Sequence, residues 1–139
     1  MMMNFLTSKT KVILDTNFVL IPGELGVDIF TEIKSILNEP FELCILDKTE
    51  EELKTIIQRE GKRKSGFYAK LGLILIKQKN LKTLSSSTSK YADEALLDLA
   101  QKNPEKTIIA TQDKNLRLKL KNVGARIIQL RQKRHLTLG

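Results

Sequence analysis

The order of the apolar segments is the feature that most constrains the fold of this chain. Apolar runs of strand length occupy residues 12–14, 41–46, 81–84, 107–110 and 125–130. Between these runs, apolar residues recur at helical spacing, and Ile29, Ile33 and Ile36 form one such face. This repeated β-then-α order favours an α/β domain in which helices cover both faces of a mainly parallel sheet.

Length and hydrophobic content favour one compact domain. The chain has 139 residues, of which 41% are hydrophobic, and both values suit a single domain spanning residues 1–139. The densest apolar stretch, residues 71–76, is much shorter than the ~20 residues that cross a bilayer, and we expect it to pack in the core. The first residues include neither a basic leader nor a long apolar segment, so we expect a cytoplasmic protein with no membrane partner.

The scarcity of cysteine and histidine excludes several kinds of active site. Cys44 is the sole cysteine and lies in a strand-like apolar run, which indicates a buried thiol. His135 is the sole histidine and follows basic residues near the end of the chain, which indicates a surface position. An internal disulfide, a zinc ribbon and a Ser/His/Asp triad are therefore disfavoured, and carboxylates are left to carry any chemistry.

Four carboxylates stand where an α/β fold builds its active site. Asp15 and Asp113 follow apolar runs, whereas Glu52 and Asp93 lie in the opening turns of predicted helices. The carboxyl ends of parallel strands gather at one edge of a sheet, so these side chains are expected to meet there. Carboxylate oxygens suit Mg²⁺ or Mn²⁺, and such ions activate water for the hydrolysis of phosphate esters. The pattern therefore predicts a metal-dependent nuclease.

Each of these acids also has a structural interpretation, because helix N-termini favour Asp and Glu. Taken singly, that interpretation is the stronger one for Glu52, Asp93 and Asp113, whereas Asp15 directly follows a strand. Taken together, four like charges would repel one another unless a cation lay between them. The set as a whole therefore favours metal binding.

Local signals predict where the helices begin and end. Asp47 and Glu50 resemble a capping pair, which leaves a later glutamate as the preferred ligand in that helix. Ser89 or Lys90 is expected to precede the helix that carries the third acid, and Gly124 is expected to follow the last helix.

Charge is unevenly distributed along a chain whose net charge is +8. Residues 1–52 carry four basic and ten acidic side chains, residues 53–82 carry nine and one, and residues 114–139 carry eight and none. Such segregation suits a polyanion whose phosphates meet Lys and Arg while a carboxylate cluster holds metal. We therefore favour a nucleic acid over a membrane as the partner.

Two basic clusters are candidate contacts to an RNA backbone, although a solvated charged surface explains them nearly as well. The clusters are Lys62, Arg63 and Lys64, and, in an expected basic C-terminal tail of residues 131–139, Arg131, Lys133 and Arg134. Aromatic residues make up only 5% of the chain, and Phe67 and Tyr68 are the one adjacent pair. A base-stacking platform of the RNA-recognition type is therefore poorly supported.

Four motifs in a fixed order resemble those of the PIN-domain ribonucleases. They are VILDTN, an EEL helix, an ADEALL helix and IIATQD, and the resemblance covers residues 11–129. Within that family the chain looks most like archaeal stand-alone proteins similar to the rRNA-processing nucleases, with toxin ribonucleases as relatives. The resemblance implies a three-layer α/β/α domain with a core at about residues 11–130 and about five parallel strands. It also implies a Mg²⁺- or Mn²⁺-dependent endoribonuclease, frequently a homodimer.

The resemblance further implies roles for individual residues. The acidic positions of the family's motifs are matched by Asp15, Glu52, Asp93 and Asp113. One metal ion would lie between the three aspartates, and the glutamate would hold an ion or its water. Thr111 matches a hydroxyl that supports the site, and Glu94 stands where close relatives have a second aspartate. Asn17 would orient a ligand or contact the scissile phosphate, or equally cap its turn.

Other functions are excluded or stay open. A haloacid-dehalogenase-type phosphatase needs a second aspartate where this chain has Asn17, and the glycine motifs of dinucleotide and triphosphate sites are absent from the sequence. A non-catalytic PIN-like scaffold that binds RNA or a ribosome-assembly partner is the main alternative to a nuclease in rRNA processing. A toxin ribonuclease held by an antitoxin is a further alternative.

Overall fold

The computed structural model describes residues 8–86 and 91–139, and a six-stranded sheet forms the centre of this part of the chain. The strands are β1 (Thr10–Leu14), β2 (Phe41–Leu46), β3 (Lys82–Leu84), β4 (Thr107–Ala110), β5 (Arg126–Arg131) and β6 (His135–Leu138). Their order across the sheet is β3-β2-β1-β4-β5-β6. The first strand therefore lies in the interior of the sheet, between β2 and β4.

Strand directions confirm the predicted parallel sheet and add one antiparallel strand. β1 to β5 form parallel pairs, whereas β6 pairs antiparallel with β5 and sets Leu136 opposite Leu130. The prediction that residues 131–139 form a basic tail is therefore wrong. Gln132 and Lys133 adopt φ values of 54° and 56°, the left-handed conformation of a tight hairpin, and the chain turns back to extend the sheet.

Helices cover both faces of the sheet, as the alternation of segments predicts. They are α1 (Thr16–Val19), α2 (Ile21–Leu25), α3 (Ile29–Ile36), α4 (Asp47–Glu60), α5 (Lys64–Gln78), α6 (Ala92–Lys102) and α7 (Lys114–Asn122), with a 3₁₀ turn at Pro104–Lys106. Successive residues of a strand point to opposite faces, so β1 contributes to two separate cores. Val12 and Leu14 pack with α1 to α5, whereas Ile13 packs with α6 and α7. The result is a three-layer α/β/α arrangement.

The side chains in the interior of the sheet are almost completely buried. Val12, Leu14, Ile108 and Ile109 each have 0% exposure, and each such side chain contributes roughly 1.5–3 kcal/mol by leaving water. Cys44 in β2 is equally buried, and that burial raises the pKa of its thiol to about 11. The prediction of a buried strand thiol is thereby confirmed.

Helix ends agree only in part with the local signals. Gly124 follows α7 with φ 74°, as expected for a glycine beyond a helix end. The predicted Asp47–Glu50 capping pair is wrong, because Leu46 occupies the cap position of α4. The Asp47 carboxylate instead accepts hydrogen bonds from the backbone N–H groups of Lys48 at 2.8 Å and Ser86 at 3.1 Å. The predicted boundary at residues 89–90 lies outside the described residues.

Helix α5 contains the apolar stretch of residues 71–76. Gly72 and Ile76 are buried against the core, as expected, although Ile74 is 53% exposed. A Cβ atom on Gly72 would lie 2.9 Å from a Val19 methyl group, so the glycine permits close approach of α5 and α1. Among the helices in residues 8–86 and 91–139, none is long and apolar enough to cross a membrane.

An ion pair joins the first residue of β5 to the segment before β2. The Arg126 guanidinium in β5 donates hydrogen bonds to both carboxylate oxygens of Glu39, and the Thr10 hydroxyl donates to the same carboxylate. Arg126 also donates to the backbone carbonyl of Glu105 at 3.1 Å. These hydrogen bonds from Arg126 and Thr10 lower the pKa of Glu39 from 4.5 to about 2.

Replacing the carboxylate in Glu39→Gln is expected to lower the free energy of unfolding by about 1 kcal/mol at neutral pH. Because the folded-state pKa is depressed, the Glu39 contribution is fully present above pH 4.5 and is lost as the pH falls toward 2. Urea denaturation of wild type and variant between pH 7 and pH 2.5 should therefore show a difference that shrinks with acidity. Glu105→Gln is the control, since Glu105 meets Arg126 through its backbone; a pH-independent difference for Glu39→Gln would contradict the assignment.

Candidate active site

Asp15 stands at the carboxyl end of the central strand β1. It occupies the N-cap position of α1, and its Oδ1 accepts a hydrogen bond from the Thr16 backbone N–H at 2.9 Å. Its own N–H donates to the carbonyl of Ala110 at 2.9 Å, which continues the pairing of β1 with β4. The backbone of Asp15 is therefore paired with β4, its carboxylate is held by the first N–H group of α1, and the residue is only 9% exposed.

Thr111 connects Asp15 to the neighbouring strand end. Its hydroxyl, which is fully buried, donates a hydrogen bond to Asp15 Oδ2 at 2.8 Å and accepts one from the Asp113 backbone N–H at 3.1 Å. Its own N–H donates to the carbonyl of Ile128 in β5 at 3.1 Å. Thr111 thus connects the loop after β4 both to Asp15 at the end of β1 and to strand β5.

Asn17 and Gln112 also join the end of β1 to the loop after β4 and to β5. The Asn17 amide donates to Asp15 Oδ2 at 3.3 Å, and its oxygen accepts from the Gln112 N–H at 3.1 Å. The Gln112 side-chain oxygen in turn accepts from the Leu130 N–H at 2.7 Å. Asn17 is therefore placed to orient the Asp15 carboxylate, one of the three roles that the sequence left open for it.

Asp113 combines a structural role with a place beside Asp15. It caps α7, and its Oδ1 accepts a hydrogen bond from the Leu116 N–H at 3.1 Å. The second carboxylate oxygen leaves this residue able to bind another ligand. The capping interpretation and the metal-binding interpretation are thus compatible at this position.

Glu52 and Asp93 reach the site from helices on opposite faces of the sheet. Glu52 lies in the second turn of α4 and Asp93 in the first turn of α6. The pKa of Asp15 is raised mainly by burial and further by the charges of Asp93 and Asp113. The pKa of Glu52 is raised by partial burial of its carboxyl group and then by the charges of Asp15 and Asp93. Four segments distant in sequence therefore bring negative charge to one region.

The donor chemistry of this region suits a hard divalent cation. Its carboxylate, hydroxyl and amide groups present oxygen atoms, the ligands that Mg²⁺ and Mn²⁺ prefer. Within residues 8–86 and 91–139, no three acidic side chains converge closely enough to hold one ion as they stand. Mg²⁺ is commonly bound through one or two carboxylates while water completes its octahedral shell, so the arrangement fits a largely hydrated ion.

The other predicted site residues lie farther from Asp15. Glu94 is exposed in the first turn of α6, and its charge is not among those that raise the pKa of Asp15 or Glu52. The first basic cluster, residues 62–64, occupies the turn between α4 and α5, and about 12 Å of helix separates Glu52 from the end of α4.

The second basic cluster lies in the hairpin between β5 and β6. Its members, Arg131, Lys133 and Arg134, are all exposed. Because β5 runs parallel to β1, this hairpin stands at the same edge of the sheet as Asp15, two strands away. The pairing of β6 with β5 thus fixes a cluster that was expected in a tail.

Three supporting residues escaped the sequence analysis. The buried hydroxyls of Thr16 and Thr49 lie 3.1 Å apart and connect α1 to α4, and Thr16 also lowers the pKa of Glu52 through a hydrogen bond. Gln112 fixes the loop after β4. The position of Thr16 directly after the predicted catalytic aspartate could have indicated a supporting role. The hydrogen-bond partners of all three residues are remote in sequence, so no local pattern reveals them.

Comparisons with known proteins agree with this fold. The sequence profile described as the PIN like domain matches residues 12–133. A protein named Ribonuclease VapC4, from Methanocaldococcus jannaschii, is 37% identical over 128 residues, which cover 90% of this chain and 93% of that protein. The solved structure of the PIN domain endonuclease Utp24 superimposes with a TM-score of 0.75 at 22% identity, over 92% of this chain and 90% of that one.

Replacing Thr111 by valine is expected to destabilise the fold by about 1–3 kcal/mol. The change leaves the partly buried Asp113 N–H without its acceptor and removes a donor from Asp15. Urea denaturation measures the loss, and Thr111→Ser, which keeps the hydroxyl, is the matched control. If valine and serine variants proved equally stable, the hydroxyl would not have the structural role assigned to it.

Proposed function

Because the chain belongs to the PIN like domain family, we propose that it is a metal-dependent endoribonuclease that hydrolyses RNA phosphodiester bonds. The observation that carries the proposal is the environment of Asp15, whose pKa is raised by burial and then by the charges of Asp93 in α6 and of Asp113 at the start of α7. A cation between these three carboxylates would offset their mutual repulsion. The same cation could bind the phosphate group of an RNA substrate. Mg²⁺ or Mn²⁺ is the proposed ion, since the ligand atoms are oxygen.

The carboxylates have distinct proposed roles. Asp15, Asp93 and Asp113 would hold the ion, in part through the water molecules of its hydration shell, and Glu52 would hold an ion or the water that attacks phosphorus. When bound, the divalent ion lowers the pKa of the attacking water and offsets charge on the phosphate. Hydrogen bonds from Thr111 and Asn17 keep the Asp15 carboxylate oriented, so that no rearrangement of this ligand is needed during the reaction.

RNA is the proposed substrate because both the basic surface residues and the similarity to a ribonuclease favour it. A protein that is 37% identical over most of both chains is named a ribonuclease. The basic residues of the α4–α5 turn and the β5–β6 hairpin would contact the backbone of a bound strand, which would fix its position without reading its sequence. We propose rRNA as the natural target.

Three protein partners are also proposed. A homodimer, an antitoxin and a ribosome-assembly factor each follow from the family resemblance, and none is needed for the chemistry described above. A non-catalytic RNA-binding scaffold is the alternative function, and it is separated from the nuclease by measurement of cleavage.

The proposed activity predicts that cleavage depends on both metal and Asp15. Labelled single-stranded and structured RNAs are incubated with the protein in Mn²⁺, in Mg²⁺ and in EDTA. We expect cleavage only with metal, and a loss of more than about 100-fold in Asp15→Asn because a ligand charge is removed. Binding without cleavage in any metal, or undiminished cleavage by Asp15→Asn, would contradict the proposal; Asp98→Asn on the outer surface is the control for purification artefacts.

Metal binding should also be visible as a change in stability. Excess Mn²⁺ is expected to raise the free energy of unfolding, by about 2.7 kcal/mol when its concentration is 100 times the dissociation constant. Asp93→Asn should abolish this increase while leaving metal-free stability equal or slightly higher, because it removes a charge that repels Asp15 and Glu52.

The matched control for this measurement lies on the same helix. Asp98 forms an exposed ion pair with Lys102 at 3.1 Å, so Asp98→Asn changes stability little and should keep the full response to Mn²⁺. Thermal unfolding with and without Mn²⁺ compares the three proteins. An equal response in the Asp93 and Asp98 variants would remove Asp93 from the proposed ligand set.

A further inference from the structure

An open groove lies directly beside the proposed catalytic carboxylates. It has a volume of about 450 Å³ and runs between α4 and the start of α6. Its charged lining residues are Lys48, Glu51, Glu52 and Arg59, and Tyr91 and Ala92 line it from the α6 side. Glu52 is thus shared between the groove and the site, and Ala92 is the direct neighbour of Asp93.

The α4 wall of the groove has positive charge on either side of Glu52. Lys48, Glu52, Ile56 and Arg59 recur at spacings of three or four residues, so they lie on one face of the helix. Lys48 is close enough to lower the pKa of Glu52. Eleven residues of helix separate the two basic positions by about 16 Å, several times the roughly 3.4 Å rise of a stacked nucleotide. This wall can therefore contact phosphates on both sides of a cleaved bond.

The opposite wall presents an aromatic ring. Tyr91 is 58% exposed and occupies the N-cap position of α6. Its side chain lines the same groove as Lys48 and Arg59. An exposed aromatic ring beside basic residues is a surface on which a nucleic-acid base can stack while its backbone is bound.

We propose that this groove is the subsite for the nucleotide adjoining the scissile phosphate, with its base stacked on Tyr91 and with phosphates farther along the strand on either side bound by Lys48 and Arg59. The inference rests on the proposed function and assigns Tyr91 as the residue that contacts an unpaired base, because only an unstacked base exposes a face to the ring. Stacking is tolerant of sequence, since every base has such a face. The subsite therefore selects RNA by its single-stranded state.

Binding of an uncleavable complex tests the subsite apart from the chemistry. Affinity for a fluorescein-labelled single-stranded oligoribonucleotide is measured by anisotropy, with Asp15→Asn as the background of every variant. Tyr91→Ala is expected to weaken binding about tenfold, within the range of 5- to 150-fold that the loss of one stacked base can cause. Tyr91→Phe keeps the ring and should bind within about twofold of the parent. Unchanged affinity in Tyr91→Ala, or equal losses in both variants, would overturn the proposal.

Two controls match this measurement. Phe67 is 62% exposed but does not line the groove, so Phe67→Ala should leave the affinity unchanged, and a loss equal to that of Tyr91→Ala would overturn the assignment. A perfectly paired duplex of the same sequence should bind the parent and Tyr91→Ala proteins equally. A tyrosine-dependent affinity for the duplex would also contradict the stacking role.

The phosphate contacts have their own signature. Lys48→Gln and Arg59→Gln should each lower the slope of log affinity against log salt by about 1, whereas Lys119→Gln on α7 should not.

The nuclease proposal and the subsite proposal can fail separately. Cleavage without any effect of Tyr91 on binding would overturn the subsite alone. Tyr91-dependent binding without cleavage would support the subsite and overturn the nuclease.

Discussion

The hydrogen bond between the buried Thr111 hydroxyl and Asp15 is the interaction on which the rest of the site depends. It crosses from the loop after β4 to the end of β1, and the same hydroxyl accepts the Asp113 N–H. Burial raises the pKa of Asp15, and the donors around its carboxylate oppose that shift. Without these donors a carboxylate at this depth would be costly to keep ionised. The fold thus holds a negative charge in place before any ligand arrives.

Several side chains in the site have a structural role and a proposed chemical role together. Asp15 and Asp113 cap helices through one carboxylate oxygen, while Asp15 receives further bonds on its second oxygen. A capping residue is held at a strand end with its orientation fixed by the backbone, which is what a metal ligand needs. The two interpretations that the sequence set against each other, helix capping and metal binding, are therefore compatible. The mutual repulsion of the acids is the cost of this arrangement, and a bound cation would remove it.

The sequence predicted the interior strands β1 and β4 well because each has an apolar run that suits a sheet buried on both faces. Strand β6 was missed because His135–Leu138 has a mixed pattern, typical of an edge strand with one exposed face. The capping role of Asp47 was also misjudged. The local pattern suggested a contact to Glu50, whereas the carboxylate accepts from Ser86, a partner 39 positions away that no local pattern reveals.

By itself, the sequence determined the α/β class, the positions of the five parallel strands and the family, because apolar periodicity and short motifs are properties of local segments. It also identified the acids that the fold brings to one edge. Only the tertiary structure decided that Thr111 and Asn17 orient Asp15, that residues 131–139 complete the sheet and that Tyr91 faces Lys48 and Arg59 across a groove. Those contacts join residues far apart in the chain, and their geometry is set by packing of the helices against the sheet, which no local pattern encodes.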